Sequence, residues 1–147
     1  MNLRLEGRVA LVCGASQGIG KAIANQLADQ GASVIITARN EEKLKLVSSS
    51  LTCKFGQKHD FIACDFSDKQ QVEKFVKKVS QIANIQILIN NIGGPDPAPL
   101  SSEDPEHLEN AYFQHVIVSH RLALAVIDSM KANRYGRIIN ITSIGAK

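Results

Sequence analysis

Three glycines, Gly14, Gly18 and Gly20, fall in the stretch CGASQGIG, directly after the apolar run Val-Ala-Leu-Val. Glycine between a strand and a helix lets backbone come close to a phosphate, and the N–H groups opening the helix then face the anion. The spacing Gly14-x-x-x-Gly18-x-Gly20 excludes two familiar phosphate turns. A triphosphate loop needs glycine where Ala15 stands and a hydroxyl where Ala22 stands. The G-x-G-x-x-G turn needs glycine at Ser16 and Ile19. Four further places put glycine or a polar side chain right after an apolar run: Arg39, Asp65, Asn90–Gly93 and Ser143.

The elements that must carry these residues alternate. Arg8–Cys13 reads as a strand and Gly18–Gln30 as a helix; Ser33–Ala38 reads as a strand and Glu41–Leu51 as a helix. Lys58–Cys64 is a weaker strand. Ser67 and Gln70 read as a capping box for a helix reaching about Ala83, with Val72, Phe75, Val76 and Val79 on one stripe. Ile85–Asn90 is the fourth strand, and GGPDPAPLSSEDP is a loop. Asp104-Pro105 then opens one long helix to about Asn133. Tyr135-Gly136 turns into a fifth strand, Arg137–Thr142.

Apolar strands alternating with helices demand an α/β fold, a parallel sheet covered on both faces. Right-handed crossovers make it doubly wound, in the order 3-2-1-4-5. All 147 residues read as a single dinucleotide-binding domain. In such a sheet ligands bind outside the carboxyl ends of the strands, where the order reverses. The five strand ends above converge there, and the site they form suits a dinucleotide. A fold preferring NAD carries an acid near the end of strand 2. Here Ala38 and Arg39 occupy that place, and a cation without an opposing carboxylate favours the 2′-phosphate of NADP. The competing reading makes Arg39 a solvated charge at a helix start, neutralised by Glu41 and Glu42.

Bulk properties exclude several other functions. Hydrophobic residues make up 44% and charged residues 21%, as in an ordinary soluble domain, and the net charge of +3 is mild. The lysines are spread rather than clustered with aromatics, so a nucleic-acid partner is not expected. No apolar run approaches the roughly 20 residues needed to span a bilayer. The start of the chain lacks a signal-peptide core. Cys13, Cys53 and Cys64 form no C-x-x-C pair, which suits reduced thiols in the cytoplasm. The last strand is as apolar as a central one, which predicts either a partner or further chain over its edge.

Three motifs in order resemble the short-chain dehydrogenase/reductase family, of the bacterial 3-oxoacyl-acyl-carrier-protein reductase-like kind. The family's T-G-x-x-x-G-I-G stands here as CGASQGIG, its N-N-A-G as NNIG, and its fifth-strand serine motif as GRIINITS. The similarity runs from about Leu5 to Ser143. It implies an oxidoreductase that interconverts carbonyls and alcohols by hydride transfer with NADP. The substrate would be a small molecule, acyl-carrier-linked in one form, and the protein a homodimer or homotetramer paired through the long helix. Gly14, Ser16, Gln17, Gly18, Ile19 and Gly20 would wrap phosphates and ribose. Asp65 and Phe66 would border the adenine, with the carboxylate accepting from its amino group. Asn91, Ile92 and Gly93 would line the middle of the cofactor, while Asn90 holds adjacent strands. Ser143 matches the catalytic serine that hydrogen-bonds the reacting oxygen.

The departures from the pattern are as informative. Cys13 replaces a threonine and reads as a packing substitution. His115 stands where the catalytic asparagine is expected, either as a relay group or as a plain buried histidine. The family's Y-x-x-x-K is missing from these residues: Tyr112 and Tyr135 are followed four positions later by Val116 and Ile139. Without that pair, acid–base help typically worth about 10²–10⁴-fold is lost, so the chain alone is expected to be a poor catalyst. The strands and helices after strand 5 are expected to lie beyond it. A non-catalytic nucleotide-binding or interaction protein of the same fold is the alternative.

Overall fold

A computed structural model describes residues 4–94 and 104–142. Five parallel strands form one sheet in the order β3-β2-β1-β4-β5: β1 Val9–Cys13, β2 Ser33–Ala38, β3 Asp60–Ala63, β4 Ile85–Asn90 and β5 Arg137–Asn140. The expected α/β architecture and strand order are therefore observed. Leu11 sits opposite both Ile35 and Leu88, so β1 is central and pairs on each side. Side-chain alternation splits its residues between two cores. Leu11 and Cys13 join a core roofed by α3 (Lys69–Ser80) and α5 (Val118–Ala132). Ala10 and Val12 join one roofed by α1 (Gly18–Asp29) and α2 (Glu41–Ser50). With both faces covered, β4 buries all six of its residues.

Because every strand runs the same way, all five carboxyl ends open on one rim. The order reverses there between β1 and β4, which leaves a crevice. The bulge between Val9 and Ala10 is stabilised by Gln86, a buried side chain whose Oε1 accepts from Val9 N–H at 3.2 Å.

The structure corrects four local expectations. Strand 3 begins at Asp60, not Lys58, because His59 turns its ring to the neighbouring strand: Nδ1 accepts from Val34 N–H at 3.1 Å. The third helix is capped by Asp68 rather than Ser67. Asp68 accepts from the backbone N–H groups of Gln70 and Gln71, while Ser67 instead donates to Asp65. Strand 5 stops at Asn140, and all four of its residues are exposed.

The long helix is interrupted. It consists of α4 (Pro105–Tyr112), a π turn over Phe113–Ile117, and α5. The apolar stripe Val118, Leu122, Val126, Met130 repeats every four residues, whereas Phe113, which packs against the same core, lies five before Val118. That extra residue is absorbed as a π turn, the usual way a helix accommodates an insertion, often near a site. Among the described residues, no helix is long and apolar enough to cross a membrane.

Candidate functional site

The turn after β1 is built by close backbone approach. Gly14 has φ +63°, and a Cβ there would collide with the carbonyl of Asn91 at the end of β4. A Cβ on Gly20 would strike the carbonyl of Gly14 itself, so the first turn of α1 lies directly against the turn that precedes it. Gly18 has open space around it and is required only for its φ of +57°. Asn91 Nδ2 donates to Gly14 O at 3.3 Å and clasps the turn to the neighbouring strand.

This packing leaves the start of α1 free. The helices α2, α3 and α4 receive side-chain caps from Asn40, Asp68 and Asp104. Helix α1 receives none and has no acidic residue in its first turn. Its opening N–H groups and the positive end of its dipole are thus available to an anion.

A cleft of about 650 Å³ lies in front of that helix end. Its wall includes Gly14, Ser16, Gln17, Arg39, Asp65, Phe66, Asn91, Ile92 and Gly93. Gly18 and Gly20 shape the turn without lining the cleft, and Ile19 faces a second cavity instead. Phe66 is 7% exposed and stacks edge-on to Phe75 at 5.7 Å, so most of its ring belongs to the core. The Asp65 carboxylate holds its own loop: Oδ1 accepts from Ser67 N–H at 3.0 Å and from Ser67 Oγ at 2.8 Å. Arg39 is exposed and forms no ion pair with Glu41 or Glu42.

Two cysteines sit beneath the cleft without reactive character. Cys13 is fully buried, and burial pushes its thiol far above the ordinary range, with the neighbouring Cys64 adding to the rise. Burial pushes the Cys64 thiol up to about 12, helped by the charges of Asp65 and Asp68. Both are packing groups.

The second cavity, about 1060 Å³, opens between the π turn, α5 and β5. His115, Ser119, His120, Asn140 and Thr142 supply its polar groups. His115 is exposed, which removes the buried-histidine reading. Its Nε2 would lie 2.5 Å from a Cβ on Gly94, so that glycine makes room for the ring. Asn90 donates through Nδ2 to Asn140 Oδ1 at 2.8 Å and ties β4 to β5. Ser143 lies outside the described residues.

Sequence reasoning missed Gly94, Asn40, Lys43 and Gln114, all of which line the cleft. The five-residue spacing before Val118 could have located Gln114 and His115 on a π turn, and Lys43 stands one helical turn after Arg39. Among the described residues no cluster of three metal-ligating side chains exists.

The family model for short chain dehydrogenases matches residues 8–147. The chain belongs to that family. Among its relatives, the 3-oxoacyl-(acyl-carrier-protein) reductase FabG of Haemophilus influenzae is 34% identical over 142 residues, spanning 95% of this chain and 57% of that protein. A human protein named inactive hydroxysteroid dehydrogenase-like protein 1 is 30% identical over 139 residues, 93% of this chain and 42% of that protein. The crystal structure of a 3-oxoacyl (acyl-carrier-protein) reductase from Agrobacterium tumefaciens with NADP bound superposes with a TM-score of 0.85 at 30% identity. It covers 97% of this chain and 55% of that one. The chain thus spans about half the length of the relatives it matches.

Proposed function

We propose that this chain is the NADP-holding part of an oxidoreductase that interconverts a carbonyl and an alcohol. The observation that carries the reading is the uncapped start of α1, facing a cleft that is also lined by an unpaired Arg39. An uncapped helix start suits a pyrophosphate, and a guanidinium at the end of β2 suits a 2′-phosphate. The family relationship and the NADP-bound neighbour support the same choice of cofactor.

In this reading Gly14, Ser16 and Gln17 line the pyrophosphate and ribose seat, Gly18 and Gly20 shape its turn, and Ile19 contributes only its backbone N–H in the uncapped first turn of α1. Asp65 takes the adenine amino group through the carboxylate oxygen that Ser67 leaves free, with Phe66 supporting the ring pocket from below. Asn91, Ile92 and Gly93 support the middle of the dinucleotide. The bound cofactor supplies or accepts the hydride. Ser143 would hydrogen-bond the reacting oxygen, and His115, on the rim of the second cavity, is placed to exchange a proton with a group bound there. The substrate is a small carbonyl or alcohol, acyl-carrier-linked in one form. The protein acts as a homodimer or homotetramer; Leu108, Tyr112, Val116 and Leu124, exposed at four- and eight-residue spacing along α4, the π turn and α5, support pairing through that face.

Titration of the purified protein with NADP and NAD tests the cofactor assignment. Arg39→Ala should weaken NADP binding by about 10- to 100-fold, as loss of a charge-assisted bond implies, and leave NAD unchanged. Equal losses, or none, would overturn it. The second reading, a non-catalytic nucleotide binder, is supported by a relative named inactive. NADP binding with no carbonyl reduction by the full-length protein would select it.

A further inference from the structure

Lys43 stands in the first turn of α2, four residues after Arg39, and lines the same cleft. Its Nζ donates to Gln17 Oε1 at 3.4 Å, so it reaches from α2 to the residue just before α1. The start of a helix carries partial positive charge, and cations are favoured at the opposite end. Glu41 and Glu42 suit that position; Lys43 does not. Neither Arg39 nor Lys43 has a carboxylate partner among the described residues. Two cations therefore face one open cleft uncompensated. Lys45, equally exposed on the same helix, does not line it.

We propose that Lys43 is the second cation of the 2′-phosphate seat and shares with Arg39 the discrimination of NADP from NAD, an inference that rests on the cofactor reading above. A 2′-phosphate presents three acceptor oxygens. A planar guanidinium engages two of them, and the ammonium, a compact point charge on a flexible stem, takes the third. Gln17 holds the ammonium beside the seat until the phosphate arrives. Preference for NADP is then divided between two side chains, so removing Arg39 alone leaves a residual preference.

The probes are 2′,5′-ADP and 5′-AMP, which differ only in the 2′-phosphate, titrated against the purified protein by calorimetry. Lys43→Gln should weaken 2′,5′-ADP about five- to twentyfold and change 5′-AMP less than about twofold. Lys43→Arg should restore most of the loss, and Lys45→Gln should leave both titrations unchanged. Matching thermal melts exclude a folding defect. An unchanged 2′,5′-ADP titration in Lys43→Gln, or equal weakening of both probes, overturns the role of Lys43. Should Arg39→Ala still weaken 2′,5′-ADP in that case, the NADP reading stands and only this inference falls. A wild-type protein that does not distinguish the two probes overturns both.

Discussion

The cleft at the ends of β1, β2 and β3 and the cavity beside β5 are made by opposite means. In the cleft the decisive contacts are backbone to backbone: the Gly14 turn against Asn91, and the start of α1 against the Gly14 carbonyl. Behind it, β1 and β2 are buried on both faces. The cavity beside β5 is larger and is lined by side chains of a π turn, a helix and an exposed strand. A phosphate can be held by glycines and amide groups that any sequence with the right turn supplies. Recognition of a carbonyl compound depends on which side chains meet, and so on tertiary placement.

The comparison is broken most severely at Gly14. Gly14→Ala should cost more than about 3 kcal/mol, because the residue would combine a left-handed φ with a collision against a carbonyl. Thermal unfolding reads it directly; a Tm within a degree or two of the parent would mean that the turn is not fixed as described. A paired substitution sharpens the contrast between central and edge strands. Ile36→Ala, at a fully buried position in β2, should cost about 2–5 kcal/mol. Ile139→Ala in β5, 48% exposed, should cost less than about 1 kcal/mol in the same 147-residue chain. Similar losses at the two sites in urea unfolding would show that β5 is covered.

The smallest effect concerns the thiols. At pH 8 a disulfide reagent should titrate Cys53 in the folded protein and leave Cys13 and Cys64 unmodified until denaturant is added. Burial favours the neutral thiols of Cys13 and Cys64 in the folded state, so their pKa values lie above the ordinary 9.0. The stability they contribute is complete below pH 9 and declines as pH rises toward 12. Cys64→Ala should flatten the fall in Tm above pH 9; an unchanged slope would assign the alkaline loss elsewhere.

Much of the fold was legible because β-branched runs and amphipathic stripes alternate without interruption. The errors arose where short-range contacts compete. Ser67 and Asp68 are both good caps, and the choice went to Asp68 because Asp65 engages the serine first. The π turn contains neither glycine nor proline, so its only trace is one five-residue gap in a four-residue stripe. In the site, strand ends announced Gly14, Arg39, Asp65 and Asn91 through an abrupt change from apolar to polar. Lys43 and Gln114 carried no such mark, since they reach the cleft from helix flanks.

Sequence by itself determined the parallel sheet, its order, the glycine turn and the cation after β2. Each follows from a local rule: hydrophobic period, crossover handedness, φ, or charge next to a strand end. Tertiary structure alone decided that α1 stays uncapped before an open cleft, that Asn91 clasps Gly14, and that Lys43 joins Arg39 while Lys45 does not. These depend on packing between elements distant in the chain, where a rotation of one helix changes which side chain meets the ligand.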